Sequence, residues 1–278
     1  RDRPRPRPTP KDDMNDDDMN DDIDTPDAST LDRAAGSGFP KWLKWGLFAA
    51  LAILIVGYGA IFLYAKVIND SPDELGEDDL AAALADDTTE QAEQTGESAA
   101  DAPADSDGAW VVTDESELGY RIKEILFGVD TEGVGRTNQI TGSLMIDGTQ
   151  VTEAEFVVDV ASITSDDSRR DGQFRGRIMS TDEFPEAVFT LTEPIELGTE
   201  AVEGATVDTT ATGDLTLRGV TNPVTFDVSA RLENGKIGVL GDIPVVFADY
   251  SIANPSTGGI TTEDNGLLEF VLVFEPAG

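Results

Sequence analysis

Residues 224–233 read VTFDVSARLE, and this run decides the fold class. Val224, Phe226, Val228, Ala230 and Leu232 fall on one side of it, and Thr225, Asp227, Ser229, Arg231 and Glu233 on the other. Side chains alternate across a β-strand, so a period of two marks a strand with one buried face. The pattern recurs in both directions along the chain. In Leu267–Glu275 the residues Leu268, Phe270, Leu272 and Phe274 share a face, while Val271 and Val273 leave the opposite side less polar. In Glu155–Ala161 the inner set is Phe156, Val158 and Val160, with Glu155 and Asp159 outside. Similar sets are Ile140, Leu144 and Ile146; Phe189 and Leu191; Leu215 and Leu217; and Ile237, Val239, Ile243, Val245 and Phe247. With weaker runs at 110–113 and 120–127, about nine strands are expected.

Turn signals at Asp147-Gly148, Glu233-Asn234-Gly235 and Gly258-Gly259 join these runs in series. The class is therefore all-β, an antiparallel sandwich or an up-and-down barrel of about eight strands. A barrel of that size either fills with side chains or encloses one small ligand, and alternation alone does not choose between them. The inner faces are aliphatic and Phe-rich, so any enclosed ligand is apolar. Alternation fails at Asp171–Met179, DGQFRGRIM, where a short capping helix is expected.

Ahead of this unit the composition changes three times. Residues 1–40 open with Arg-Pro repeats and continue as Asp/Asn-rich sequence with almost nothing apolar to bury, which reads as a disordered cytoplasmic tail. Residues 41–66 hold WGLFAALAILIVGYGAIFLYA at 45–65, free of charge and long enough as a helix to span a bilayer core. Lys41, Lys44, Trp42 and Trp45 flank one end and Tyr64 and Lys66 the other, as interfacial anchors do. The next basic residue is Arg121, so the positive-inside rule puts the amino terminus in the cytoplasm and the remainder outside. A cleaved signal peptide is the competing reading, but its apolar core is shorter, about 7–15 residues. Residues 67–109 are acidic without Lys or Arg and read as an extended, disordered tether, with a transient helix near 77–93. Residues 110–278 form the globular unit.

Composition also excludes functions. A net charge of −36 argues against nucleic acid, whose binders cluster Lys and Arg on one face. With neither Cys nor His, disulfides, thiolate nucleophiles, the usual zinc ligands and Ser-His catalysis are absent by inventory. No catalytic residue, metal or cofactor is expected.

Residues 213–224, GDLTLRGVTNPV, resemble the G-x-L-T-x-x-G-V-T-x-P-V signature of the YceI-like family, lipocalin-like polyisoprenoid-binding barrels. Ser162-Ile163-Thr164, Arg170-Asp171, Phe184-Pro185 with Phe189, the opening Trp110 and Gly142 agree in order. In place of the His-Leu that many members carry after Arg-Asp, Gly172-Gln173-Phe174 follows here, and this chain carries an anchor where many are secreted. The resemblance covers essentially all of the globular unit. It implies an eight-stranded barrel with capping helices and a lumen for an isoprenoid chain or quinone-like amphiphile.

Phe156, Val158, Phe174, Phe184, Phe189, Phe226, Phe247, Phe270 and Phe274 would be core in any β protein, and the resemblance makes them lumen lining. Arg169, Arg170, Arg175 and Arg177 crowd nine positions and either meet an anionic head group or pair with Asp166, Asp167, Asp171, Asp182 and Glu183. Arg170-Asp171 reads as a structural pair fixing the cap, and Gly219 with Asn222-Pro223 as turn geometry. Asp166, Asp167 and Asp171 lack the spacing of a calcium loop. The leading function is a membrane-tethered, extracytoplasmic binding module for an isoprenoid lipid or quinone. A filled barrel that contacts an envelope protein partner is the alternative, and a carboxylate-based hydrolase has little to support it. The topology is directly testable: protease added to intact cells is expected to release the barrel, and a protected carboxy terminus sinks the anchor reading.

Overall fold

Val224–Leu232 lies in a fourteen-residue strand whose alternation is realised: Phe226 and Val228 are buried, and Thr225 and Asp227 are exposed. The computed structural model describes residues 41–63, 71–85, 106–198 and 203–278. The expected tail at 1–40 lies outside the described residues. Helix α1, Lys41–Leu63, has no buried residue and is long and apolar enough to cross a membrane by length and composition.

The β unit contains β1 (Gly108–Val112), β2 (Glu117–Leu126), β3 (Val129–Thr137), β4 (Ile140–Asp147), β5 (Gln150–Asp159), β6 (Thr164–Ser165), β7 (Glu186–Leu191) and β8 (Ile195–Glu196). It continues with β9 (Thr206–Leu217), β10 (Val220–Glu233), β11 (Lys236–Val246), β12 (Ile260–Thr262) and β13 (Asn265–Pro276). Two pairs of these act as single staves. Along β13, Phe274 faces Val112 of β1 and Val271 faces Glu117 of β2, so β1 and β2 are one strand interrupted at 113–116. Their partners β4 and β3 run alongside in the same broken fashion. The break is sealed by Ser116, whose Oγ accepts from Val273 N at 2.8 Å and donates to Val273 O at 3.2 Å. With β5, β7, β9, β10, β11 and β13 the result is a closed eight-stave antiparallel barrel, the pairing of β1 with β13 completing the ring.

One end carries the β2–β3 hairpin, the cap and the β9–β10 turn; the other carries the β4–β5 and β10–β11 hairpins. The β9–β10 turn is Arg218-Gly219, with φ +49 and +74. Asn222 and Pro223, expected in a turn, lie inside β10 opposite Leu215 and Asp214. There Asn222 Nδ2 donates to Asp249 O at 2.8 Å.

The cap starts earlier than alternation suggests. Asp167 accepts from Arg169 N and so starts α3, Ser168–Gln173, which passes into a single π-helical turn at Phe174–Ile178. The expected Arg170–Asp171 pair does not form. Buried Asp171 instead accepts from Ser165 N and Ser165 Oγ, tying the cap to β6, and Arg170 pairs with Asp166 one turn back.

The acidic stretch 67–109 reads as an extended tether, yet residues 71–84 within it form a strap along the outer barrel wall. Helix α2, Glu77–Leu84, buries Leu80 and Leu84 completely, and together with Leu75 they cover Val271 and Val273. Gly238 makes the seat, since a Cβ there would stand 2.5 Å from Leu80 Cδ1 and 2.8 Å from Leu84 Cδ1. Ahead of the helix the strap crosses a buried ion cluster. Glu269, 1% exposed, accepts from Arg121 Nε at 3.1 Å and Arg136 Nη2 at 2.8 Å. Arg121 also reaches Glu132 at 2.6 Å and donates to Pro72 O at 2.9 Å, and Arg136 donates to Asp73 O. Burying a lone carboxylate costs several kcal/mol, and the two guanidiniums offset that cost. The rest of the stretch, 67–70 and 86–105, lies outside the described residues.

Two variants test this architecture. Phe226→Asp is expected to put an uncompensated carboxylate in the lumen and lower stability by several kcal/mol, whereas the adjacent Thr225→Asp changes melting by little. Leu80→Asp is expected to open residues 71–84 to protease well below the melting temperature of the barrel, and equal protection in both forms removes the strap from the architecture.

Candidate functional site

The lumen follows from the inward set. Its lining includes Leu118, Ile140, Leu144, Val151, Leu215 and Ile243, and only Tyr120 and Thr209 contribute a hydroxyl. Among the described residues no charged side chain faces it. The cavity volume is about 190 Å³. At roughly 10–15 Å³ per water that is room for on the order of a dozen waters, but such walls offer them almost no partners. The space suits hydrocarbon.

Eight of the nine apolar residues singled out in the sequence line this space: Phe156, Val158, Phe174, Phe189, Phe226, Phe247, Phe270 and Phe274. Five of them form an aromatic belt. Phe274 lies 5.6 Å from Phe156, Phe156 lies 6.3 Å from Phe189, Phe189 lies 5.4 Å from Phe226 and Phe226 lies 6.0 Å from Phe270. Three rings lie against strand glycines, where an added Cβ would meet them at 2.5–2.6 Å: Phe156 on Gly142, Phe189 on Gly213 and Phe270 on Gly241. Gly142 and Gly213 of the recognised pattern thus make room for the belt.

Phe184 is absent from the lining. It sits half-buried beside Gly219, with the Arg218 guanidinium 5.8 Å from its ring centroid, because the positive-φ glycine leaves a flat shelf there. The arginines are also outside the lining. Arg170 is committed to Asp166, and Arg177 donates to Asn254 O at 3.4 Å and Pro255 O at 3.0 Å, so it fastens the cap to the opposite loop. Arg175 is half-buried, and its guanidinium makes no hydrogen bond or ion pair among the described residues, while its carbonyl accepts from Thr181 N at 2.8 Å.

At the mouth the sequence points to the capping segment with Phe174 but not to its partner Tyr120. Phe174 of the cap stacks on Tyr120 of β2 at 4.8 Å and 18°, and Ile163, Ile178, Met179 and Ile252 complete the closure. The signal for Tyr120 was its place in the weak run at 120–127. Burial pushes the Tyr120 hydroxyl far above its ordinary range, so it is neutral at any physiological pH. Beside it, burial raises the Glu124 carboxyl above its usual range, while the Arg170 charge pulls in the other direction.

A YceI-like domain model matches residues 110–274, more than half of the chain. This chain belongs to the YceI-like family. A UPF0312 protein of Vibrio parahaemolyticus is 30% identical over 127 residues, covering 42% of this chain and 64% of the relative. The chain therefore spans less than two thirds of that relative's length. A UPF0312 protein of Shewanella sp. strain MR-4 is 30% identical over 166 residues, 56% of this chain and 78% of the relative. Among solved structures, a polyisoprenoid binding domain from Saccharophagus degradans aligns over 61% of this chain and 99% of its own, at 21% identity and a TM-score of 0.49. BcnA of Burkholderia cenocepacia aligns over 58% and 98%, at 20% identity and a TM-score of 0.46.

In this YceI-like barrel the pH response at the mouth has a definite sign. Because the folded pKa of Glu124 is raised, its contribution to stability is full below the unfolded value, about 4.3, and is lost as pH rises through the folded pKa. Glu124→Gln is expected to melt progressively higher relative to the parent as pH is taken from 4 to 7. A constant offset across that range assigns the shift to another group.

Proposed function

We propose that the chain is a membrane-tethered, extracytoplasmic binding protein that holds the hydrocarbon tail of an isoprenoid lipid or quinone-like amphiphile in its barrel, without catalysis. The observation that carries this reading is a cavity of about 190 Å³ with neither a charge nor a water-holding wall among the described residues. A filled barrel would place side chains where that space lies, and here three of the five belt rings lie against strand glycines. General acid–base chemistry needs a titratable pair within reach of a substrate, and the lumen presents none. Tethering rests on α1, and orientation on Lys41 and Lys44 against an acidic segment without positive charge. Residues 1–40 form the cytoplasmic tail in this layout, 41–66 the anchor, 67–109 a connector that includes the strap, and 110–278 the barrel.

The head group remains at the capped mouth, since no lumen residue solvates a charge. Of the arginines named from the sequence, Arg175 is the one with an uncommitted guanidinium for an anionic head, while Arg170 and Arg177 hold the cap that the ligand passes. Extraction of the purified chain and mass spectrometry of the extract is expected to yield stoichiometric prenyl lipid or quinone, and an empty extract together with no uptake of any prenyl chain overturns the reading. Arg175→Gln is expected to weaken a polyprenyl phosphate several-fold more than the matching prenol, with added salt mimicking the change. Equal weakening of both ligands removes the head-group role and leaves the lumen intact.

A further inference from the structure

The strap gives the barrel a direction. Ser71 Oγ donates to Glu132 O at 2.7 Å, and Glu132 lies opposite Lys123 in the β2–β3 hairpin. From there the strap runs toward the far end, where Asn234 Nδ2 donates to Leu84 O at 3.0 Å in the β10–β11 hairpin. The chain therefore enters the wall close to the capped end. Only residues 64–70 separate the end of α1 from Ser71, and the eight steps from Leu63 to Ser71 reach no further than about 29 Å. At about 3.3 Å per residue, the β2–β3 tip is roughly 13 Å beyond Ser71, whereas the far end, followed along β13 to Pro276, is about 36 Å the other way.

That tip is apolar where hairpins are usually polar. Outside α1, the exposed large apolar residues among those described are Ile125, Phe127, Met145 and Val246. Ile125 and Phe127, 45% and 58% exposed, lie on the hairpin nearest the strap entry. Phe127 also carries strain. It occupies the first central position of a two-residue turn at φ +48, followed by Gly128 at φ +87, where Asn-Gly or Asp-Gly is favoured. The equivalent turn in the β10–β11 hairpin is Asn234-Gly235. A bulky aromatic in the left-handed region is unfavourable for the turn. One edge of the Phe127 ring lies over Gly259, whose carbonyl accepts from Phe127 N at 2.9 Å, and more than half of the residue stays exposed.

We propose that the β2–β3 tip, Ile125 and Phe127, is a lipid-contact surface that the strap holds against the bilayer beside the barrel mouth. Exposed apolar residues occur singly on any surface. This pair differs by its turn strain and by lying at the end that a seven-residue leash keeps near the membrane. A barrel held mouth-down receives its ligand from the leaflet without passage through water. The inference rests on the membrane-tethered reading above.

The chain has no Cys, so Ile125→Cys gives a single site for an environment-sensitive nitrobenzoxadiazole label in the full chain reconstituted into phosphatidylcholine vesicles. Thr149→Cys, at the opposite end, is the reference. Nitroxide-labelled lipids are expected to quench the label at 125 at least twofold more than at 149. Combining the label with Phe127→Asn is expected to remove that excess, while the variant melts no lower than its parent because Asn suits the turn. Equal quenching at 125 and 149 overturns the proposal. So does a Phe127→Asn chain that melts lower yet keeps the excess, since Phe127 then serves packing alone. No ligand is added, so a barrel that binds no prenyl chain leaves this surface standing, and an unquenched tip leaves lumen binding untouched.

Discussion

A closed barrel whose lining, among the described residues, offers only the Tyr120 and Thr209 hydroxyls admits almost nothing but apolar side chains on its inner face, and the rest of this structure follows from that constraint. It dictates the period-two alternation of strands such as β10. It also keeps charge off the lining, and near the cap Arg170 pairs with a carboxylate and Arg177 with loop carbonyls. Where the staves break, at 113–116, Ser116 supplies both a donor and an acceptor to Val273, so the backbone groups of Val273 stay paired across the break.

The outer wall has a second rule of its own. Val271 and Val273 point away from the lumen and would be exposed apolar surface on a bare barrel, and Glu269 beside them would be an ordinary solvated carboxylate. The strap changes both. It covers the valines with Leu75, Leu80 and Leu84 and turns the Glu269 site into a buried cluster with Arg121 and Arg136. Cutting one partner of such a cluster is expected to be far costlier than replacing all of it, because the loss is dominated by the charge left behind. The strap is therefore part of the folded unit, although its composition is that of a solvated linker.

Apolar lumen and charged mouth are separated in the same way. The belt from Phe274 through Phe156, Phe189 and Phe226 to Phe270 lines the lumen, and the Tyr120–Phe174 stack stands at one end. Glu124, Arg170 and Asp166 stand just outside that stack. In the proposed function a ligand parts the cap and leaves its polar end on the charged side of this stack, so that the tail is recognised by shape and the head by charge.

The sequence by itself determined the class of fold and the inner face of most long strands, because alternation reports burial directly and needs no partner to be known; β3, whose inward positions are mostly Thr and Gly, gave no such signal. It also determined which chemistries are absent, since a missing side chain is missing in any fold. Only the tertiary structure decided which alternating residue sits at the mouth, that Phe184 packs on the Gly219 shelf, and that Arg170 turns to Asp166 while Asp171 holds Ser165. Those outcomes depend on which groups the chain brings together from distant positions. The strap is the clearest instance. DDLAAAL is a short acidic helix that is marginal alone, and it is fixed only because Gly238, Val271 and Val273, some 150 residues or more further on, form a seat that no local pattern encodes.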